Sequence, residues 1–349
     1  MPSFEPGYIE SQPITQNLLR TIRLIGEYKG KQELFKQQSP QILETLQQTA
    51  IIQSTESSNR IEGVEAPIKR IKALIEQKTT PQNRSEQEIA GYRDVLNTIH
   101  ANCMTMPFTT GLVLQMHRDL YQFLPGSGGH WKKTDNNITE IKPDGTISVR
   151  FETVRAFVTP DSMTQLHERF NTLWEEDEVE RLLLIPTYVL DFLCVHPFRD
   201  GNGRISRLLS LLLLYQAGYE VGRYISLEKI VERTKESYYD SLKQSSSLWH
   251  EGEHTLIPWW EYFLGVVLSA YREFEQRVGT LTLSRGSKRD IVFDVVARLP
   301  NQFQYADVER ACPGVSRPTI NRALAEMRDS GMIRCIKPGR DAIWEKHDH

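Results

Sequence analysis

Apolar residues recur at three- and four-residue intervals between positions 16 and 74, with Leu18, Leu19, Ile22, Leu24 and Ile25 followed by Ile42, Leu43, Leu46 and Ile51. That period gathers them on one face of a helix, so this stretch is predicted to be helical. The same spacing predicts helices over residues 86–99, 110–123 and 164–175. Pro125, Gly126, Gly128 and Gly129 interrupt the pattern between the last two. From 132 to 158 the period changes. Thr146-Ile147-Ser148-Val149-Arg150-Phe151 alternates with period two behind Asp144-Gly145, a hairpin-turn pair, so one β-hairpin is predicted inside a helical body. Helical spacing returns over 180–195, 205–216 and 234–278, with short polar breaks.

Residues 280–287, bounded by Gly279 and containing Gly286, read as a linker. Beyond them the pattern predicts helices over 288–299, 305–312 and 318–330, with Pro313-Gly314-Val315 as a turn and Ser316 and Pro318 supplying helix-start chemistry. Gly331 stops the third helix, and 332–336 with 342–344 form two strands around Pro338-Gly339, a winged-helix pattern. Three regions are therefore expected: 1–90, 91–279 and 280–349.

The chain has 349 residues, ample for more than one buried core. Hydrophobic residues at 39% and charged residues at 25%, with 42 Lys and Arg against 45 Asp and Glu, give an ordinary globular composition and exclude a broadly nucleic-acid-coating or disordered chain. The longest apolar run, 208–214, is broken by Ser210 and is too short for a membrane span, and residues 1–12 lack the basic-then-apolar order of a secretory signal. No membrane partner and a cytoplasmic location are expected. Cys103, Cys194, Cys312 and Cys335 are far apart and form no CxxC pair, so neither a zinc site nor a disulfide framework is expected.

The chemistry concentrates in His196-Pro197-Phe198-Arg199-Asp200-Gly201-Asn202-Gly203-Arg204-Ile205-Ser206-Arg207. Pro197 ends one apolar helix at His196, and another begins near Arg204. Gly201 and Gly203 let backbone N–H groups approach an anion at the start of that second helix, where the helix dipole favours negative charge. Arg204 and Arg207, three apart, share a helix face and carry guanidinium forks suited to phosphate oxygens. Asp200 is a hard oxygen ligand placed to hold a magnesium ion that bridges phosphates. His196 can accept a proton from an incoming hydroxyl at neutral pH. A base, a metal ligand, an anion loop and two phosphate forks within 12 residues outweigh the bland reading of a capped turn with solvated arginines.

This segment resembles the Fic family signature, HPFxDGNGRxxR, and matches it without a departure; a weaker similarity extends from about Leu18 to Phe274. The resemblance implies a mainly α fold: an all-helical core with one β-hairpin flap, followed here by the winged helix. It implies a protein adenylyltransferase that moves the AMP of ATP, with magnesium, onto a Tyr, Thr or Ser hydroxyl of a target protein or of itself. His196 would be the general base and Asp200 the metal ligand. Gly201, Asn202 and Gly203 would bind the α- and β-phosphates, Arg204 the β-phosphate and Arg207 the γ-phosphate, with Phe198 anchoring the loop. The intact Asp and Gly-Asn-Gly positions favour adenylylation over phosphoryl or phosphocholine transfer.

Ser58-Asn59-Arg60-Ile61-Glu62-Gly63 resembles the family's inhibitory pattern, Ser/Thr-x-x-x-Glu-Gly/Asn. By that resemblance Ser58, Glu62 and Gly63 belong to an inhibitory helix, and Glu62 competes with the γ-phosphate for Arg207. Related enzymes also use this glutamate to remove AMP, which the sequence leaves open. The hairpin matches the position of the family's flap, with Ile147 and Val149 as apolar contacts for an extended target strand. The family often carries a Pro-Pro pair after the flap, whereas 158–160 hold one proline. Tyr238-Tyr239 matches the family's tyrosine pair, with Tyr239 a nucleotide contact or, equally, core. Family similarity also allows a homodimer.

His117-Arg118-Asp119-Leu120 spells a kinase catalytic loop, but Phe123 and Leu124 stand where that motif needs Asn, so it reads as helix. Residues 285–349 carry 12 basic against 9 acidic residues, a mild excess, with Arg317, Arg322 and Arg328 on or before the third helix. A second function class follows: a DNA-binding regulator whose core only senses nucleotide.

Overall fold

A computed structural model describes residues 1–38, 40–124, 126, 128–141, 144–282, 288–312, 314–337, 339 and 342–346. The chain forms two compact units, one of Met1–Gln32 with Gln47–Tyr271, the other of Glu33–Leu46 with Arg272–His349. Its helices are α1 (Tyr8–Ser11), α2 (Gln16–Gln38), α3 (Pro40–Ile61), α4 (Ile68–Ile75), α5 (Arg84–Asn102), α6 (Thr110–Leu120), α7 (Thr159–Glu176), α8 (Arg181–Val195), α9 (Asn202–Gln216), α10 (Leu227–Arg233), α11 (Lys235–Ser246) and α12 (Ile257–Thr282). The strands β1 (Ile138–Ile141) and β2 (Ile147–Phe151) interrupt them. No helix among the described residues is long and apolar enough to cross a membrane.

α8 and α9 form the centre of the first unit, buried around nearly their whole circumference and mostly apolar. Leu182, Leu184, Ile185, Val189 and Leu190 on α8, and Ile205, Leu208, Leu209, Leu212 and Leu213 on α9, are all buried. Each such side chain contributes roughly 1.5–3 kcal/mol relative to exposure. Two tryptophans of α12 fix α8 by hydrogen bonds as well as packing: Trp259 Nε1 donates to Pro186 O at 2.7 Å and Trp260 Nε1 to Thr187 Oγ1 at 2.9 Å. The expected 234–278 helix is divided into α11 and α12, with Leu248 left-handed at φ 58° in the break.

The end of α3 is pinned by buried polar contacts. Ser54 Oγ donates to Glu228 Oε2 at 2.7 Å, Ser57 Oγ to Glu232 Oε2 at 2.8 Å, Arg60 Nη1 to Glu232 Oε1 at 2.8 Å, and Lys235 Nζ to Ile61 O at 2.8 Å. The helix stops at Gly63, with Val64 N–H returning to Asn59 O at 2.9 Å. The predicted hairpin is present: β1 and β2 pair antiparallel, Thr139 opposite Val149 and Ile141 opposite Ile147. Asp144 Oδ1 closes its turn by accepting from Thr146 N–H at 2.9 Å. The single proline after it, Pro160, sits in the first turn of α7, which begins five residues earlier than the spacing predicts.

The second unit contains α13 (Lys288–Arg298), β3 (Gln302–Gln304), α14 (Tyr305–Ala311), α15 (Arg317–Asp329), β4 (Ile333–Lys337) and β5 (Ile343–Lys346). The sheet is antiparallel in the order β3-β5-β4. Val292, Val296, Phe303, Val308, Ile320, Leu324 and Ile333 form its core. β3 carries one apolar residue in three, too short an alternation to be read in the sequence. Of the expected linker, 280–282 continue α12, and 283–287 lie outside the described residues, as does Pro338 in the expected wing turn.

Candidate active site

α8 ends at His196, which takes the left-handed conformation at φ 51° and ψ 58°. A residue with a side chain pays strain there, of order 1–3 kcal/mol, and such positions cluster at functional sites. The His196 Nδ1 lies 3.3 Å from Leu193 O. A carbonyl only accepts, so Nδ1 carries the proton and Nε2 keeps its lone pair. Burial pulls the imidazole pKa down to about 4, with the cations Lys132 and Arg150 adding to the effect and Glu62 opposing it. His196 is therefore neutral at pH 7, and it lines a cavity of about 240 Å³ together with Gly203, Glu62, Arg150 and Tyr239.

The loop from His196 to α9 is held from inside. Phe198 is fully buried and stacks on His117 at 3.7 Å between ring centroids. Asn202 closes the turn, its Oδ1 accepting from Phe198 N–H at 2.9 Å and its Nδ2 donating to Phe198 O at 2.7 Å. Gly201 turns the chain at φ 84° as the N-cap of α9 and gives its N–H to Asp200 Oδ1 at 2.7 Å. Asn202 and Gly203 open α9, where N–H groups have no intrahelical acceptor and face whatever anion approaches.

Arg207 is buried and reaches back to the end of α3. Its Nε donates to Ser58 Oγ at 2.9 Å, and its Nη2 donates to Ser58 O at 2.9 Å and to Glu62 Oε1 at 2.7 Å. Its Nη1 is buried without a partner among the described residues. The Glu62 carboxylate lies directly over Gly203: a Cβ at that glycine would stand 2.1 Å from Glu62 Oε1. A carboxylate thus rests at the N-terminus of α9 and on an arginine fork, two features that favour phosphate. The structure brings together Ser58, Glu62, Gly203, Arg207 and His196.

Arg204 is placed differently from its neighbour. It is 1% exposed and faces the protein, with Nη1 2.5 Å from Glu88 Oε2 and Nη2 2.8 Å from the Tyr121 hydroxyl. Asp200 Oδ1 is 3.7 Å away. The Asp200 side chain is 59% exposed, and no group of three or more His, Cys, Asp or Glu able to hold a metal occurs among the described residues. A lone exposed carboxylate at a phosphate cradle fits magnesium, which is usually held by one or two carboxylates and takes its remaining ligands from phosphates and water. Tyr239 is exposed on the cavity wall, whereas Tyr238 is core, stacked edge-on against Trp259. Ile147 and Val149 are 72% and 53% exposed on the hairpin, as an apolar strand surface requires.

Sequence reasoning missed two groups that hold the loop. His117, inside the kinase-like tetrapeptide, accepts from Gly129 N–H at Nδ1 over 3.0 Å, so its Nε2 donates to Asp200 O at 3.1 Å. Lys132 places its backbone N–H 2.8 Å from Pro197 O. Only their sequence proximity to glycines and to the hairpin signalled them. In the second unit, Arg317 Nε bonds Glu309 Oε1 at 2.5 Å, Arg328 pairs with Asp329 at 2.8 Å, and Arg322 Nε lies 3.3 Å from Pro318 O.

The chain is 26% identical over 211 residues to a protein adenylyltransferase Fic of Culex quinquefasciatus, covering 58% of this chain and 38% of that protein. It is 27% identical over 168 residues to its namesake in Drosophila grimshawi, covering 46% of this chain and 32% of that one. The chain spans about a third of the length of these curated relatives. The crystal structure of a Fic family protein from Desulfovibrio desulfuricans G20 shares the fold over 97% of this chain and 98% of that one, with a TM-score of 0.62 at 20% identity. Residues 107–214, from before α6 through the loop into α9, match the Fic/DOC family.

Proposed function

We propose that this protein is an adenylyltransferase that moves AMP from ATP to a hydroxyl of a target protein and is held off by its own Glu62. The observation that carries the reading is the Glu62 carboxylate seated over Gly203 and on Arg207 Nη2, beside a neutral His196. An anion already rests where a phosphate would, which supports both the cradle and its blockade.

In the proposed reaction the amides of Asn202 and Gly203 bind phosphate oxygens, and Arg207 receives the terminal phosphate once Glu62 leaves it. The unpartnered Arg207 Nη1 supplies a further donor. Asp200 would hold magnesium, which neutralises phosphate charge when bound. His196 Nε2 takes the proton from the target hydroxyl as its oxygen bonds to the α-phosphorus. The bond from that phosphorus to the bridging oxygen breaks, and pyrophosphate departs with the electron pair. Arg204 supports the loop through Glu88 and Tyr121 and adds positive potential from behind it. The exposed hairpin strand, with Ile147 and Val149, would pair with the target chain.

Incubation with magnesium and α-labelled ATP tests this. Label transfer to protein is expected from Glu62→Gly, and its loss in Glu62→Gly with His196→Ala. No transfer in any form, or transfer only from γ-labelled ATP, refutes the reading.

A further inference from the structure

His196 sits between two carbonyls, Val195 O and Pro197 O, and one residue bonds both. Lys132 Nζ donates to Val195 O at 3.0 Å, and Lys132 N–H donates to Pro197 O at 2.8 Å. Val195 O is among the last carbonyls of α8, which have no acceptor role inside the helix and need an outside donor. A cation at that helix end also complements the dipole. Lys132 is buried, and its ammonium also donates to Thr153 Oγ1 at 2.9 Å, at the other foot of the hairpin. The feet are joined to the loop and to the end of α8 at further points: Asn136 Nδ2 donates to Phe198 O at 2.7 Å, and Val154 N–H to Cys194 O of α8 at 3.4 Å. Thr153 Oγ1 in turn lies 3.3 Å from Asn136 Oδ1.

We propose that Lys132 is a positioning residue that clamps the carbonyls on either side of His196, holds that histidine in its left-handed conformation, and couples the feet of the flap to it. A left-handed histidine persists only where its surroundings over-determine it, and a buried ammonium bridging α8 and the hairpin supplies that constraint. The charge has a second consequence. Burial lowers the Lys132 pKa to about 8, with Asp135 opposing, so the ammonium is charged at pH 7 and helps keep His196 neutral. Lys132 does not line the cavity at His196; it acts through the histidine, and this role rests on the transfer reaction proposed above.

The test compares Lys132→Met and Lys132→Arg in the Glu62→Gly protein, with two readouts. One is AMP transfer; the other is the hydrogen-bonded Nδ1–H resonance of His196 in protein labelled with ¹⁵N-histidine, assigned by its loss in His196→Ala. Lys132→Met is expected to lower kcat by about tenfold or more with KM for ATP changed less than roughly twofold, and to shift or abolish the resonance. Lys132→Arg, which keeps a charged donor, is expected to restore both. A folded Lys132→Met protein with the resonance in place and kcat unchanged overturns the proposal. If Lys132→Met does not fold, Thr153→Val, which removes one partner of the ammonium, is expected to move the resonance and lower kcat less; an unmoved resonance overturns the proposal. If Glu62→Gly transfers no AMP, the transfer reading fails, and the resonance alone still decides whether Lys132 positions His196.

Discussion

The Glu62 contact can be graded rather than merely removed. Arg207 Nη2 and Glu62 Oε1 are 2.7 Å apart, with the arginine side chain 7% and the glutamate side chain 31% exposed. A hydrogen bond between charged groups in such a setting contributes about 1.5–3 kcal/mol, and a neutral one about 0.5–1.5 kcal/mol. Glu62→Gln keeps the shape and an oxygen acceptor but loses the charge, so it should weaken the closed arrangement by about 1 kcal/mol. Glu62→Gly removes the whole contact. At 1.4 kcal/mol per decade, the open fraction should rise roughly fivefold for Gln and roughly 10- to 150-fold for Gly, up to full opening. Arg207 keeps both Ser58 contacts in either variant, so its position should survive. Initial rates of label transfer from α-labelled ATP at subsaturating nucleotide should rank wild type, Gln, Gly in increasing order. Folded Gln and Gly proteins that both transfer at the wild-type rate, or a Gln variant slower than wild type, would refute the argument.

Three other outcomes follow from the same geometry. Burial lowers the pKa of His100, His117, His167, His196 and His254 to about 4 each, so between pH 6.5 and 4 the unfolded chain binds protons that the folded one does not. Stability present above pH 6.5 is lost as pH falls, by roughly 1.4 kcal/mol per pH unit for each histidine, while Asp191, raised by burial to about 6, opposes as one group of opposite sign. The urea midpoint should therefore fall steeply from pH 7 to pH 5; a constant or rising midpoint contradicts this. Glu88→Ala leaves the buried Arg204 charge without its carboxylate and should cost about 3–5 kcal/mol by urea denaturation, with a cost below ~1 kcal/mol arguing against the pair. Asn202→Ala removes both side-chain bonds to Phe198 and should lower kcat well beyond its effect on Tm, whereas equal kcat would show the loop closing without it.

The sequence made the loop legible because its parts are contiguous: two glycines, an aspartate and an arginine ladder at the opening of one helix need no tertiary information to be placed. Glu62 was legible as well, since its spacing from Ser58 puts both on one face at the end of α3, where they meet Arg207. Arg204 could not be read from the sequence. Its orientation is set by Glu88 and Tyr121, 116 and 83 positions away, and helix periodicity alone places it with Arg207. His117 was read correctly as helix, yet its function as a ring platform and donor for the loop depends on the fold bringing α6 under Phe198. Lys132 was hidden for a related reason: at the start of a hairpin a lysine looks solvated, and only the docking of α8 on the hairpin feet buries it.

A structure of the Glu62→Gly protein with magnesium and a non-hydrolysable ATP analogue tests the central claim most directly. The account predicts phosphate oxygens on the amides of Asn202 and Gly203, the terminal phosphate on Arg207, and the α-phosphorus facing His196 Nε2. A triphosphate bound elsewhere, or an imidazole turned away from the α-phosphorus with Arg207 still closed on Ser58 alone, would contradict it.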